Sequence, residues 1–181
     1  QASNIWQTSL WPPDEYLNVW VMTFSDAGLR GFSILPFSNN PGPNPGVLPE
    51  GFNGEWMNYR WFGGGGNANA TSIGRTLTHE IGHFLGLHHT WGPGNNLVTG
   101  CDVDDFVADT PLQAEANNFT CRFVDPKFSC GSRDMSENYM DYSGDECYNL
   151  FTFGQIERFE VVLAESPFRA SLVNGRGTIA P

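Results

Sequence analysis

Residues 79–89, HEIGHFLGLHH, hold all four histidines of the 181-residue chain together with one glutamate. Residues four apart share a helix face, so His79 and His83 can bring two imidazoles to one metal ion. Glu80, next to the first, can address a water on that ion. Gly86, three residues past His83, lets the backbone leave the helix sharply, so His89 can come round as a third ligand. Zinc suits imidazole ligands, and a site with three protein ligands keeps one position open for water. The metal lowers that water's pKa toward about 7, and a carboxylate takes and returns the proton, which is the chemistry of metal-assisted hydrolysis. Five fixed positions coincide about once in ten million windows at average residue usage, so a chance cluster is set aside. His88 is one short of the ligand spacing and is expected to pack beside the site.

Two other groups of residues could do chemistry. Asp102, Asp104, Asp105 and Asp109 crowd a short segment; such carboxylates either repel one another in solvent or share a hard cation. Cys101, Cys121, Cys130 and Cys147 form no CxxC pair, so two disulfides in an oxidising compartment are expected, with three connectivities open on sequence alone.

The elements that must position these residues are legible in part. YLNVWVMTF (16–24), GFSILPF (31–37) and EWMNYRWF (55–62) have strand composition, the last at an edge. Between them SNNPGPNPG (38–46) reads as a surface loop, and Gly63–Gly66 as a flexible join. From about Ser72 the period becomes helical, with Ile73, Leu77, Ile81 and Phe84 or Leu85 on one side and Gly86 at the stop. Residues 90–150 carry little periodicity. A last helix is expected from Thr152, with Gln155 completing a capping box and Ile156, Phe159 and Leu163 as its apolar stripe before Pro167.

The length suits one domain with a sizeable core. A formal net charge of −11, with nine Lys and Arg, argues against nucleic acid as a partner. No apolar run approaches the roughly 20 residues of a membrane span, and the start does not resemble a signal peptide. The expected location is extracellular.

The extended motif His79-Glu80-x-x-His83-x-x-Gly86-x-x-His89 resembles the metzincin signature, which a downstream methionine in a tight turn completes. ENYMDYSGDEC (137–147) offers Met140. Within that clan the chain resembles the pappalysin family, especially its ulilysin-like and cytophagalysin-like members. The likeness runs through WPPDEYLNVWV, GRTLTHEIGHFLGLHHTWG, CDVDDFVADTP, CGSRDMSENYMDYSGDEC and FTFGQIERF. It implies an α/β (α+β) metzincin-type catalytic domain: a twisted mixed sheet, an active-site helix over 72–86 in an upper part (1–86), and a mostly irregular lower part (87–181) ending in a helix. Family members have a strand, a long backing helix and another strand before the segment matching WPPDEYLNVWV. This chain starts a few residues before that match, so those elements are expected to be missing and the domain N-terminally trimmed.

The resemblance further implies zinc on His79, His83 and His89, Glu80 as general base and acid, Met140 beneath the metal and Tyr142 stabilising the tetrahedral intermediate. It implies disulfides joining Cys101 to Cys130 and Cys121 to Cys147, and structural calcium held by Asp105, the Val107 carbonyl, Asp109 and Thr110. Relatives with an acid five residues past the Met-turn methionine, here Asp145, use it at the base of the S1′ pocket and cleave before Arg or Lys, pairing carboxylate with guanidinium. The function so implied is a secreted zinc endopeptidase acting on proteins or peptides, with its substrate strand along residues 55–62. The expected state is a monomer, with a separate N-terminal fragment or propeptide. The competing classes are a zinc-bearing adhesion module, which needs neither Glu80 nor Tyr142, and a zinc hydrolase for non-peptide bonds.

Overall fold

The computed structural model describes residues 8–43, 53–93, 100–118, 121 and 125–175. Three strands, β1 (Asn18–Met22), β2 (Gly31–Phe32) and β3 (Gly54–Asn58), form one sheet in the order β1-β3-β2. β3 runs parallel to β1 and antiparallel to β2. Trp56 of β3 lies opposite both Trp20 and Phe32, and its ring stacks on theirs at 4.6 and 5.6 Å. Cross-strand aromatic pairs of this kind are what fixes register.

The third strand therefore differs from its sequence expectation. It ends at Asn58, whose side chain accepts from the Arg60 amide and turns Tyr59–Trp61 into a 3₁₀ turn. It is central and buried along its whole length, not an edge. The edges are β1 and β2, and β2 pairs only at Gly31 and Phe32 although the strand-like composition continues to Phe37. Of the loop expected over 38–46, residues 38–43 are irregular and 44–46 lie outside the described residues.

The helix that carries the histidine motif, α1 (Arg75–Phe84), packs against β2 and β3. It starts three residues later than its periodicity suggests. Ile73 is 55 % exposed and precedes the helix, and Gly74 at the cap has φ +88° with no capping side chain of its own. The cap comes from a distant residue instead: Asp145 Oδ2 accepts from the amides of Ile73 (3.1 Å) and Arg75 (3.2 Å), and its Oδ1 accepts from Thr76 Oγ1 (3.3 Å). At the other end Gly86 N donates to His83 O and Leu87 N to Gly82 O, both at 2.9 Å, with Gly86 at φ +91°. This is a Schellman stop, and the left-handed residue explains the glycine.

The second helix, α2 (Phe153–Glu165), carries the expected capping box between Thr152 and Gln155 and stops at Ser166, just before Pro167. Its buried face is Gln155, Arg158 and Val162, one step round from the expected stripe, and Ile156 is 40 % exposed. Polar bonding decides this rotation. Gln155 exchanges hydrogen bonds with Asn138, and the Arg158 guanidinium donates to the carbonyls of Gly86, Pro41 and Phe106. Between the helices the described residues are irregular apart from a short hairpin, β4 (Phe128–Ser129) and β5 (Ser132–Arg133). Disulfides join Cys101 to Cys130 and Cys121 to Cys147, the pairs the resemblance implied.

Candidate active site

Helix α1 turns polar residues inward: Thr76, His79, Glu80 and His83 are all buried. The Schellman stop sends the chain back so that His89 returns to the same place. One ligand nitrogen from each of His79, His83 and His89 lies within 4.8 Å of the others, and the Nε2 atoms of His83 and His89 are 3.1 Å apart. His79 Nδ1 sits 2.5 Å from the Tyr139 carbonyl, and His83 Nδ1 2.8 Å from the Leu87 carbonyl. A carbonyl only accepts, so each Nδ1 carries the proton and each Nε2 offers its lone pair. Burial pushes His79 down to about 3, helped by the neighbouring His83, and His83 down to about 4. Both imidazoles are thus neutral, the state in which imidazole binds metal. His89 is held by face-to-face stacking on the buried Trp91 at 4.4 Å. Three converging imidazole nitrogens fit zinc. Among the described residues no other set of three His, Cys, Asp or Glu side chains converges in this way.

Met140 is wholly buried against the helix. A Cβ at Gly82 would lie 2.3 Å from its sulfur, so the glycine inside the motif makes room for the methionine. The turn around Met140 is tight because Asn138 Oδ1 accepts from Met140 N (2.8 Å), and Asn138 is tied to Gln155 at the start of α2. Two residues on, the Tyr142 ring lies 5.5 Å from His79 and 4.7 Å from His89. Burial, with Glu80 nearby, pushes its hydroxyl up to about 12, so it remains a hydrogen-bond donor at neutral pH.

Glu80 is 5 % exposed and packs on the edge strand at Gly31, where a Cβ would lie 2.7 Å from its Oε1. Burial raises its carboxyl well above the usual range, and the neighbouring Glu55 raises it further. Glu55 is fully buried on β3, accepts from Ser33 Oγ at 3.0 Å and is pushed up to about 8 by burial.

Two cavities share Gly31, His79, Glu80 and Tyr142 and so make one groove along β2. One, of ≈ 290 Å³, also touches Arg30, Thr76 and Tyr148. The other, of ≈ 270 Å³, also touches Ser33, Leu35, His83 and His88. His88, 6 % exposed, packs its ring 5.7 Å from Phe106, a packing position as expected. Asp145 does not line the first cavity; it is buried behind it as the cap of α1, and Arg30 faces the space instead.

The acidic loop separates into two parts. Asp105 is buried, with Thr110 Oγ1 2.7 Å from its carboxylate and 2.8 Å from the Val107 carbonyl. Its pKa is pushed up to about 7 by burial. Asp109 turns away and accepts from Gly154 N at the start of α2 (2.9 Å). Three of the four expected calcium ligands thus meet at one point. Sequence reading also missed Arg30, Glu55, Arg158 and Arg169. Each is a single charged residue in an unremarkable context, and only the fold reveals what it faces.

A profile described as pregnancy-associated plasma protein-A, peptidase family M43, matches residues 2–164. An extracellular metalloprotease of Arthroderma benhamiae is 37 % identical over 161 residues, covering 87 % of this chain and 50 % of that protein. A protein of the same description from Sordaria macrospora is 45 % identical over 94 residues, covering 52 % of this chain and 31 % of its own length. Mature mirolysin of Tannerella forsythia, solved with a cleaved peptide, superposes with a TM-score of 0.71 at 36 % identity over 90 % of this chain and 57 % of that one. Mirolysin in complex with compound 9 gives 0.72 at 35 %, over 94 % and 61 %. The chain spans about half the length of the first of these curated relatives. With the three-histidine cradle, the methionine turn and this match over most of its length, the chain belongs to the pappalysins, peptidase family M43.

Proposed function

We propose that this chain is the catalytic domain of a secreted zinc endopeptidase. The observation that carries the reading is the groove itself: three converging imidazoles, two of them with their Nδ1 atoms anchored, a buried carboxylate beside them, and a strand edge alongside. His79, His83 and His89 would hold the zinc. When bound, zinc supplies a Lewis acid that acidifies a water and polarises a carbonyl.

The chain's own residues do the rest. A peptide laid antiparallel to β2 adds a strand to the sheet, the commoner pairing sense. β2 replaces residues 55–62 as the docking edge, because β3 is already paired on both sides. β2 runs from the Arg30 cavity toward the Leu35 cavity, so an antiparallel peptide places the residue after the scissile bond, P1′, in the Arg30 cavity. Glu80 takes a proton from the attacking water and returns it to the leaving amine. Its raised pKa suits a group that must be protonated midway through the reaction. Tyr142 donates its phenol hydrogen to the developing oxyanion. The preference for Arg or Lys at P1′ belongs to the same reading, with Asp145 as the acid behind the Arg30 cavity, its Oδ1 3.9 Å from Arg30 Nη1.

Asp105, Val107 and Thr110, with Asp109 on the flank, are proposed as a structural calcium site. Secretion is supported by the disulfides and by relatives described as extracellular. The test is Glu80→Gln. The variant should bind zinc as the parent does and lose cleavage of denatured casein, while the parent's activity should disappear with a zinc chelator and return with zinc. Full turnover by the Gln variant sinks the mechanism.

A further inference from the structure

Ladder pairing of β2 stops at Phe32, yet the wall of the groove runs on: Ser33 and Leu35 line the ≈ 270 Å³ cavity together with His83, His88 and His89. Side chains from other segments hold that continuation. Ser33 Oγ donates to Glu55 Oε1 on β3 at 3.0 Å, and Arg169 Nη2 donates to the Ile34 carbonyl at 2.8 Å. The same guanidinium donates through Nη1 to the carbonyl of Phe84, the last residue of α1 and the neighbour of His83. One side chain therefore grips both walls of the groove, the strand that receives the peptide and the helix that carries the histidines. Arg169 is 1 % exposed, its guanidinium lies 4.1 Å over the Phe84 ring, and it lines neither cavity.

We propose that Arg169 is a positioning residue for extended substrates: by holding the Ile34 and Phe84 carbonyls in one planar fork, it fixes the spacing between residues 33–35 and α1 where the peptide lies before the scissile bond. The inference rests on the peptidase reading and on the direction of the peptide along β2. Residues 33–35 have no neighbouring strand in the ladder, so without these ties that wall would have to be ordered at each binding event, at a cost in affinity. A guanidinium suits the task because its two terminal nitrogens have a fixed separation and each donates separately. The Ser33–Glu55 bond is the second tie, and its hydroxyl is turned to a fully buried carboxyl on the central strand. Arg169 acts through the walls it joins and touches no reacting atom.

The experiment compares two quenched peptides cut at the same bond by the zinc-loaded full chain. The long one lies over residues 33–35; the short one is acyl-blocked at the residue just before the bond. The readout is the long-to-short ratio of kcat/KM, which cancels any loss of zinc or shift of α1, because both substrates meet those alike. The parent should favour the long peptide by about tenfold or more. Arg169→Lys should lower the ratio by about fivefold, through a higher KM for the long peptide, because the ammonium keeps the charge but not the fork. Ser33→Ala, which removes the second tie, should lower it by about twofold and decides the matter if Arg169→Lys does not fold. A parent that cuts both peptides equally well, or a ratio unchanged in the folded variant, overturns the inference and leaves the peptidase reading standing. Cleavage of neither peptide by the zinc-loaded parent overturns both.

Discussion

Replacing Gly31 by alanine puts a methyl group where Glu80 now lies. Gly31 is not in the left-handed region, so alanine costs nothing in backbone conformation and the effect is contact alone. The new Cβ would lie 2.7 Å from Glu80 Oε1, 2.8 Å from Glu80 Cγ and 2.9 Å from Met57 Sδ. Carbon atoms pack best at about 3.5–4.0 Å, so Glu80 Cγ has to retreat by about 0.7 Å or more. A swing of the carboxylate tip does not relieve a clash at Cγ; the whole side chain has to turn. Met57 is fully exposed to none of the solvent and sits in the central strand, so Glu80 yields first.

Overpacking of this kind costs about 1–3 kcal/mol of stability. Displacing a catalytic group by about 1 Å costs on the order of 100-fold in rate. The expected outcome for Gly31→Ala is therefore kcat/KM lower by about 30- to 100-fold, mostly in kcat, with zinc content unchanged because the Nδ1 anchors are untouched. The assay is steady-state cleavage of a quenched peptide, with zinc measured on the same sample. Parent-like kcat in a variant that folds and binds zinc refutes the claim that β2 fixes Glu80. Loss of zinc would show that the helix moved instead of the side chain.

Glu55→Gln should stabilise the protein as pH rises. The folded-state pKa is raised from about 4.5 to about 8, so the contribution is full below about 4.5 and is lost as pH climbs toward 8; by pH 7 the variant should lead by on the order of 2–3 kcal/mol, read as a Tm gap that closes near pH 5. A gap independent of pH would contradict the buried, protonated acid. Removing calcium with zinc replenished should lower the Tm, because a ligand bound only to the folded state stabilises it by mass action. An unchanged Tm would remove calcium from the Asp105 loop.

The convergence of the three histidines, the methionine turn and the capping box of α2 were legible because each is a local pattern with one physical meaning. Three features were not. The strand at 55–62 has the same composition whether central or at an edge, and only its pairing with β1 and β2 decides which. The start of α1 was misjudged because its cap is Asp145, seventy positions from Arg75 in the chain. The inward face of α2 was misjudged because Gln155 and Arg158 have buried partners in other segments, which outweigh the apolar stripe. Asp145 as the cap of α1 was hidden for a similar reason: its bonds to Ile73, Arg75 and Thr76 span about seventy positions and only the fold shows them.

The same long-range contacts explain how a short helix holds a metal cradle. α1 has ten residues, below the length at which an isolated helix persists, and its buried face is Thr, His and Glu instead of an apolar stripe. Hydrophobic burial alone cannot set its position. Its two ends are held by buried charges that match the helix dipole. Asp145 accepts at the positive N-terminal end. At the negative C-terminal end Arg158 donates to the Gly86 carbonyl, and Arg169 donates to the Phe84 carbonyl with its guanidinium 4.1 Å over the Phe84 ring. All three residues come from the last fifth of the chain. The helix that carries His79, Glu80 and His83 is therefore fixed only when residues 145–169 have docked, so metal affinity is linked to folding of the C-terminal region and not to the motif alone.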